Sequence, residues 1–209
     1  MGTPTLNPSE FFVHIVEFPS GADLLSDRTE GKALTSALSL TGVRFAYSLT
    51  VDLVSFEQAL GARLQAAREK FQAPPILHLS GHGTREGLWL TSGEKVGWSD
   101  LAARVAPIND SLGGQLILCL SACHGLHSSH TLIGSTHSNL AAVCRVVIGN
   151  NDDVPWSDAL VAFISFYHVL RKCGDMAEAI SAMKVGSKNT SFFGVVKSKD
   201  EPLVLRRQN

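Results

Sequence analysis

The sequence predicts an α/β fold in three layers: a mostly parallel six-stranded sheet with helices on both faces. Three observations carry that expectation. Short apolar runs bounded by glycine or proline recur along the chain, as buried parallel strands do. Segments with helix-start signals and one apolar face fall between them. Two of the runs, Ile76 to Gly83 and Leu116 to Gly125, end in small residues beside a histidine and a cysteine. Because chemistry in open α/β sheets gathers at the carboxyl ends of strands, neighbouring strands would bring His82 and Cys123 together.

Phe11 to Val16 reads as the first strand. Asp27-Arg28-Thr29-Glu30 has capping-box spacing and opens a helix through Leu34 and Leu38, which Gly42 ends. Val43 to Leu49 is the second strand. Ser55 with Gln58 starts a helix that keeps Phe56, Leu60, Leu64 and Ala67 on one face, and Pro74-Pro75 stops it before the histidine strand. Residues 88–98 read as a small hairpin beside the histidine, followed by a short helix up to Pro107. After the cysteine strand comes a fifth, Arg145 to Gly149. Asp158 to Leu170 is a helix apolar on nearly every face, hence either central or turned to a partner. Asp175 and Glu178 cap a helix ending near Gly186, and Phe192 to Val196 is the last strand, its exposed edge guarded by Lys197 and Lys199. With no internal repeat or long linker, residues 1–209 are expected to form one domain with loose termini at 1–8 and 198–209.

A chain of 209 residues, 44% hydrophobic and 18% charged, is ordinary for a soluble globular domain with a full core. A net charge of -1 supplies no basic field, so neither nucleic acid nor an anionic membrane is an expected partner. The first residues lack a basic start and an apolar core, and no apolar run approaches bilayer-spanning length. The four cysteines show neither C-x-x-C spacing nor disulfide density. The expectation is a cytoplasmic protein with reduced thiols.

Ala122-Cys123-His124-Gly125, with His82 lying 41 positions upstream, matches the caspase-type order in which the histidine precedes the cysteine by about 50 residues. On its His78-x-x-x-His82-Gly83 and Ser121-Ala122-Cys123 strand ends, the chain resembles the caspase-like clan CD cysteine peptidases, and within them the CHAT branch. Val147-Ile148-Gly149, Trp156-Ser157-Asp158-Ala159 and Phe166-Tyr167-His168 extend the similarity over most of the chain. The resemblance implies a caspase-like sandwich and a cysteine endopeptidase, a thiol protease needing no cofactor. Cys123 would be the nucleophile and His82 the acid/base, with the N–H groups of Gly83 and Cys123 forming the oxyanion hole. Glycine at 83 would let backbone approach the substrate carbonyl closely. It further implies protein substrates and an executioner role in a bacterial immune, antiviral or cell-death system. The trigger would be an upstream protease or a sensor partner, and the protein a monomer or weak homodimer.

Other readings of the same residues stand beside this one. Cys119, Cys123, His124, His127 and His130 place five candidate zinc ligands within 12 positions, but four residues of strand separate the two sulfurs by about 13 Å, too far to share a tetrahedral ion without a bend. Cys119, on the same strand and face as Cys123, reads as core, and His78 as a hydrogen-bonded core histidine. Asp152 and Asp153, after the fifth strand, either favour a basic residue before the scissile bond or are turn residues; Arg28 could act in the opposite sense. Trp156 is a pocket wall or a core residue. The run from Ser111 to Cys144 contains no charged residue, which predicts an uncut chain. A catalytically silent interaction module would use the Asp158–Leu170 helix or the last strand as its contact surface.

Overall fold

The computed structural model describes residues 6–7, 10–125, 143–196 and 203–205. In chain order the elements are β1 (Phe12–Phe18), α1 (Gly21–Leu25), α2 (Glu30–Thr41) and β2 (Phe45–Leu49). A long helix follows in three parts, α3 (Leu53–Gln58), a π turn (Ala59–Arg63) and α4 (Leu64–Phe71), then β3 (Pro75–Thr84), β4 (Gly87–Trp89) and β5 (Lys95–Gly97). The rest comprises α5 (Trp98–Ser111), β6 (Ile117–Ser121), β7 (Val146–Asn150), α6 (Trp156–Cys173), α7 (Met176–Ser187), β8 (Phe192–Val196) and β9 (Leu203–Leu205).

The sheet runs β2-β1-β3-β6-β7-β8-β9, and β4 and β5 form a hairpin on the far end of β3. Pairing is parallel from β2 through β7 and antiparallel for β8 and β9. Strand residues alternate between two apolar layers. Leu77, Leu79, Leu118 and Val147 pack against Phe56 and Leu60 on one side and Leu101 and Val105 of α5. Ile76, Ile117, Val146 and Ile148 pack on the other face against α2, α6 and α7, through Leu34, Phe163, Phe166 and Met183. Each fully buried aliphatic or aromatic side chain of this kind contributes about 1.5–3 kcal/mol.

All six expected strands are present, together with the expected hairpin. The C-terminal segment departs from expectation. Leu203–Leu205 pairs with β8, so β8 is an interior strand and part of the tail is tied down; Lys197 and Lys199 lie outside the described residues. Leu6 is tied as well, its N–H reaching the Gly174 carbonyl at 2.9 Å. The connection 126–142, on which the uncut-chain expectation rests, lies outside the described residues. Helix α6 is central, its buried face set against the sheet and its flanks against α2 and α7. Of the two surfaces expected of an interaction module, β8 is paired on both sides within the chain, while α6 buries one face and leaves Val161 exposed on the other.

Three helix signals resolve differently from their spacing. Glu30 turns inward and is buried instead of closing a capping box, and the role passes to Glu17 of β1, whose carboxylate accepts from Gly31 N (2.7 Å) and Lys32 N (3.0 Å). Ser55 is the third residue of its helix, the capping residue being Asp52, and Ser55 completes the box. Helix α5 runs through Pro107 to Ser111, giving up one ladder bond. Buried His14 of β1 donates from Nε2 to the Ala59 carbonyl (2.9 Å) at the start of the π turn, and burial holds its pKa down at about 4.

Candidate active site

β3 and β6 are parallel neighbours whose last register pair is Ser80 with Ser121. Beyond that point β3 continues through Gly81 and His82, while β6 ends and Ala122 to Gly125 folds into a turn closed by Gly125 N–H on the Ala122 carbonyl (3.0 Å). Cys123 therefore sits on a turn, not on the strand that holds Cys119. Four strand positions take Cys119 into the core, and the bend takes Cys123 to the sheet end. His124 holds the turn in the left-handed region (φ 54°), where a non-glycine residue is strained. Its ring is gripped by the Asn151 carbonyl at Nδ1 (2.8 Å) and the Asp153 carboxylate at Nε2 (3.2 Å).

His82 and Cys123 line the same enclosed cavity of about 200 Å³. His82 Nε2 lies 2.8 Å from Asp23 Oδ2, and the histidine side chain is 44% exposed against 7% for the aspartate. An ionised carboxylate only accepts, so Nε2 carries the proton and Nδ1 keeps the lone pair. Asp23 is the residue the sequence reading missed. The Ser20 hydroxyl donates to it (2.6 Å), and this bond, with those from His82 and Arg28, holds its carboxyl below the usual carboxylate range despite burial. Ser20-x-x-Asp23 reads in sequence only as a helix cap, and it does cap α1, but nothing in it points to a histidine 59 positions away. Arg28 pairs with Asp23 at 2.9 Å, which makes it a brace for the histidine's partner.

Burial pushes the Cys123 thiol up, and Sγ lies 3.9 Å from the Val154 carbonyl, to which the thiol donates. The nearby Asp153 carboxylate adds to the rise. Cys123 therefore rests as a thiol, which a base would have to deprotonate before it could react as a nucleophile. Trp156 forms a wall: its ring meets that of His82 edge-on at 5.4 Å between centroids and lines the cavity with Cys123. Gly83 is fixed by a contact different from the expected one. A Cβ there would fall 2.4 Å from the Cys123 carbonyl oxygen and 2.9 Å from Ala122 Cβ, so glycine allows the two strand ends to meet.

Asp152 and Asp153 do not line the cavity beside Cys123. Asp152 is exposed, and Asp153, 86% exposed, lines a neighbouring open cavity with Gly83, Glu86, Trp89 and His124. Among the described residues no three of His, Cys, Asp and Glu are placed to share a metal ion; His127 and His130 lie outside them. No described helix is long and apolar enough to cross a membrane.

No family model and no curated protein sequence matches the chain. Among solved structures it is similar to the complex of Porphyromonas gingivalis RgpB pro- and mature domains, with a TM-score of 0.50 and 12% sequence identity. The match covers 88% of this chain and 44% of that one, so the chain spans less than half the length of the protein it matches. At this identity the likeness concerns architecture alone: the chain has a mixed α/β fold similar to that structure, with a mostly parallel central sheet between helices.

Proposed function

We propose that the protein is a cysteine endopeptidase acting through Cys123 and His82, with Asp23 orienting the histidine. The observation that carries this reading is the shared cavity at the ends of β3 and β6, where His82 has its Nε2 committed to an ionised carboxylate and its Nδ1 left as a base. In the reaction His82 Nδ1 takes the proton from Cys123 Sγ, and the thiolate adds to the scissile carbonyl carbon. The oxyanion is held by the N–H groups of Gly83 and Cys123. Collapse expels the amine, which receives the proton from His82, and water then hydrolyses the thioester by the same route in reverse. Asp23 keeps the tautomer and stabilises the imidazolium.

The raised thiol pKa, with Sγ turned to the Val154 carbonyl, supports a resting enzyme that waits for an outside trigger. An effector role in an immune or cell-death system, with activation by an upstream protease or a partner, fits that state and the resemblance to CHAT peptidases.

The test is cleavage-site mapping. Wild type, Cys123→Ala and His82→Ala are incubated with a whole-cell protein extract, and new N-termini are identified by mass spectrometry. Cuts made by wild type and by neither variant support the reading; cuts that persist in Cys123→Ala overturn it.

A further inference from the structure

The residue preceding a scissile bond carries the carbonyl that Sγ attacks, so its side chain must enter a space that touches Cys123. The enclosed cavity of about 200 Å³ does so, and its other walls are Ser121, Asn150, Val154, Pro155, Trp156 and Ala159 with Gly81. At ~30 Å³ per water it holds the volume of roughly seven waters. It lies below the usual 300–1,000 Å³ range of ligand pockets, which fits one side chain.

Its chemistry is neutral. No Asp, Glu, Lys or Arg lines it: Asp153 belongs to the neighbouring cavity and engages His124, and Arg28 is spent on Asp23. An ion entering this space would lose its hydration and meet no charged group in the lining, Asp153 lying close to Cys123 but on the side of the neighbouring cavity, and a neutral side chain escapes that penalty. One polar group of the lining lacks a partner. The Ser121 Oγ is buried without a hydrogen bond, and a buried hydroxyl in that condition gains when a ligand supplies one. Because a hydroxyl both donates and accepts, it suits a carboxamide.

Resting on the peptidase reading, we infer that this cavity selects an uncharged side chain with a polar end, Asn or Gln, immediately before the scissile bond, and that Ser121 sets the preference over an apolar residue of similar size. Asp152 and Asp153 play no part in that choice.

The experiment uses five fluorogenic peptides that differ only at this position, carrying Gln, Asn, Leu, Arg or Asp, together with the matching acyloxymethyl ketones. Expected is the fastest cleavage after Gln or Asn, at least 10-fold slower cleavage after Arg and Asp, and a Gln-to-Leu ratio that falls several-fold in Ser121→Ala. Asn150→Asp should raise the rate after Arg relative to Leu. Fastest cleavage after Arg or Asp overturns the inference, as does an unchanged Gln-to-Leu ratio in Ser121→Ala. The failure of every ketone to label Cys123 would instead remove the peptidase reading on which it rests.

Discussion

His78 and Cys119 face one another in register across β3 and β6, with Glu30 3.7 Å from the histidine. Four residues further along the chain in each case come His82, still on β3, and Cys123, on the turn beyond β6, with Asp23 2.8 Å from the histidine. The two sets contain the same residue types in the same order, yet their surroundings differ in every respect that matters to chemistry. The inner histidine is fully buried, its Nδ1 taken by the Tyr167 hydroxyl (3.0 Å) and its ring packed edge-on against Phe163. The Cys119 thiol beside it is pushed up to about 12 by burial. The outer histidine is 44% exposed, beside a half-buried thiol that lines the same cavity. A histidine, a cysteine and a carboxylate do not make a site. Access does: His78 Nε2 also lacks a hydrogen-bond partner, but it is sealed in the core.

The sharpest way to break this comparison is alkylation with iodoacetamide at pH 8. Cys123 should react at least about 1,000-fold faster than Cys119, which should label only on unfolding; comparable rates would erase the distinction. Next in size, Asp23→Asn should lower kcat/KM by roughly 100- to 10,000-fold by permitting the wrong tautomer, whereas Glu30→Gln, measured on the same substrate, should leave it within a few-fold.

A third histidine sharpens the contrast through pH. Burial holds His14 neutral in the folded protein down to about pH 4, while in the unfolded chain it takes a proton near 6.5, the ordinary value for an exposed histidine. The unfolded state therefore binds more protons in this window, and the contribution present above pH 6.5 fades as pH falls towards 4. Urea titrations should show about 3 kcal/mol less loss across that window in His14→Gln than in wild type. Smallest is Tyr167→Phe, which strands His78 Nδ1 and should cost about 1–2 kcal/mol in the same titrations with kcat/KM intact.

The strands were legible because each is a short apolar run with a breaker at its end. β9 was not, since three residues in a polar tail have no period and gain strand character only from β8. His82 and Cys123 were legible as strand ends. Asp23 was not, because its backbone N–H is capped locally by Ser20 while its carboxylate serves a histidine at long range, and only the first leaves a spacing pattern. Glu30 misled for the reverse reason: it has capping spacing, but the Ser80 hydroxyl and the proximity of His78 draw it inward. The acidic pair after β7 was visible, but exposure and the His124 contact, which carry it away from the enclosed cavity, are tertiary facts.

Glu17 does not line the cavity that His82 shares with Cys123, yet it governs how still that histidine can be. Its backbone lies in β1, in register with Ser80, and its carboxylate holds the first amides of α2. The eleven residues between β1 and α2, 19–29, are thereby closed into a loop pinned at both ends, with Ser20, Asp23 and Arg28 on it. Closing a loop of that length costs about 2 kcal/mol of chain entropy. That loss is incurred once, when the protein folds, and so the orientation of His82 is already settled before any ligand arrives.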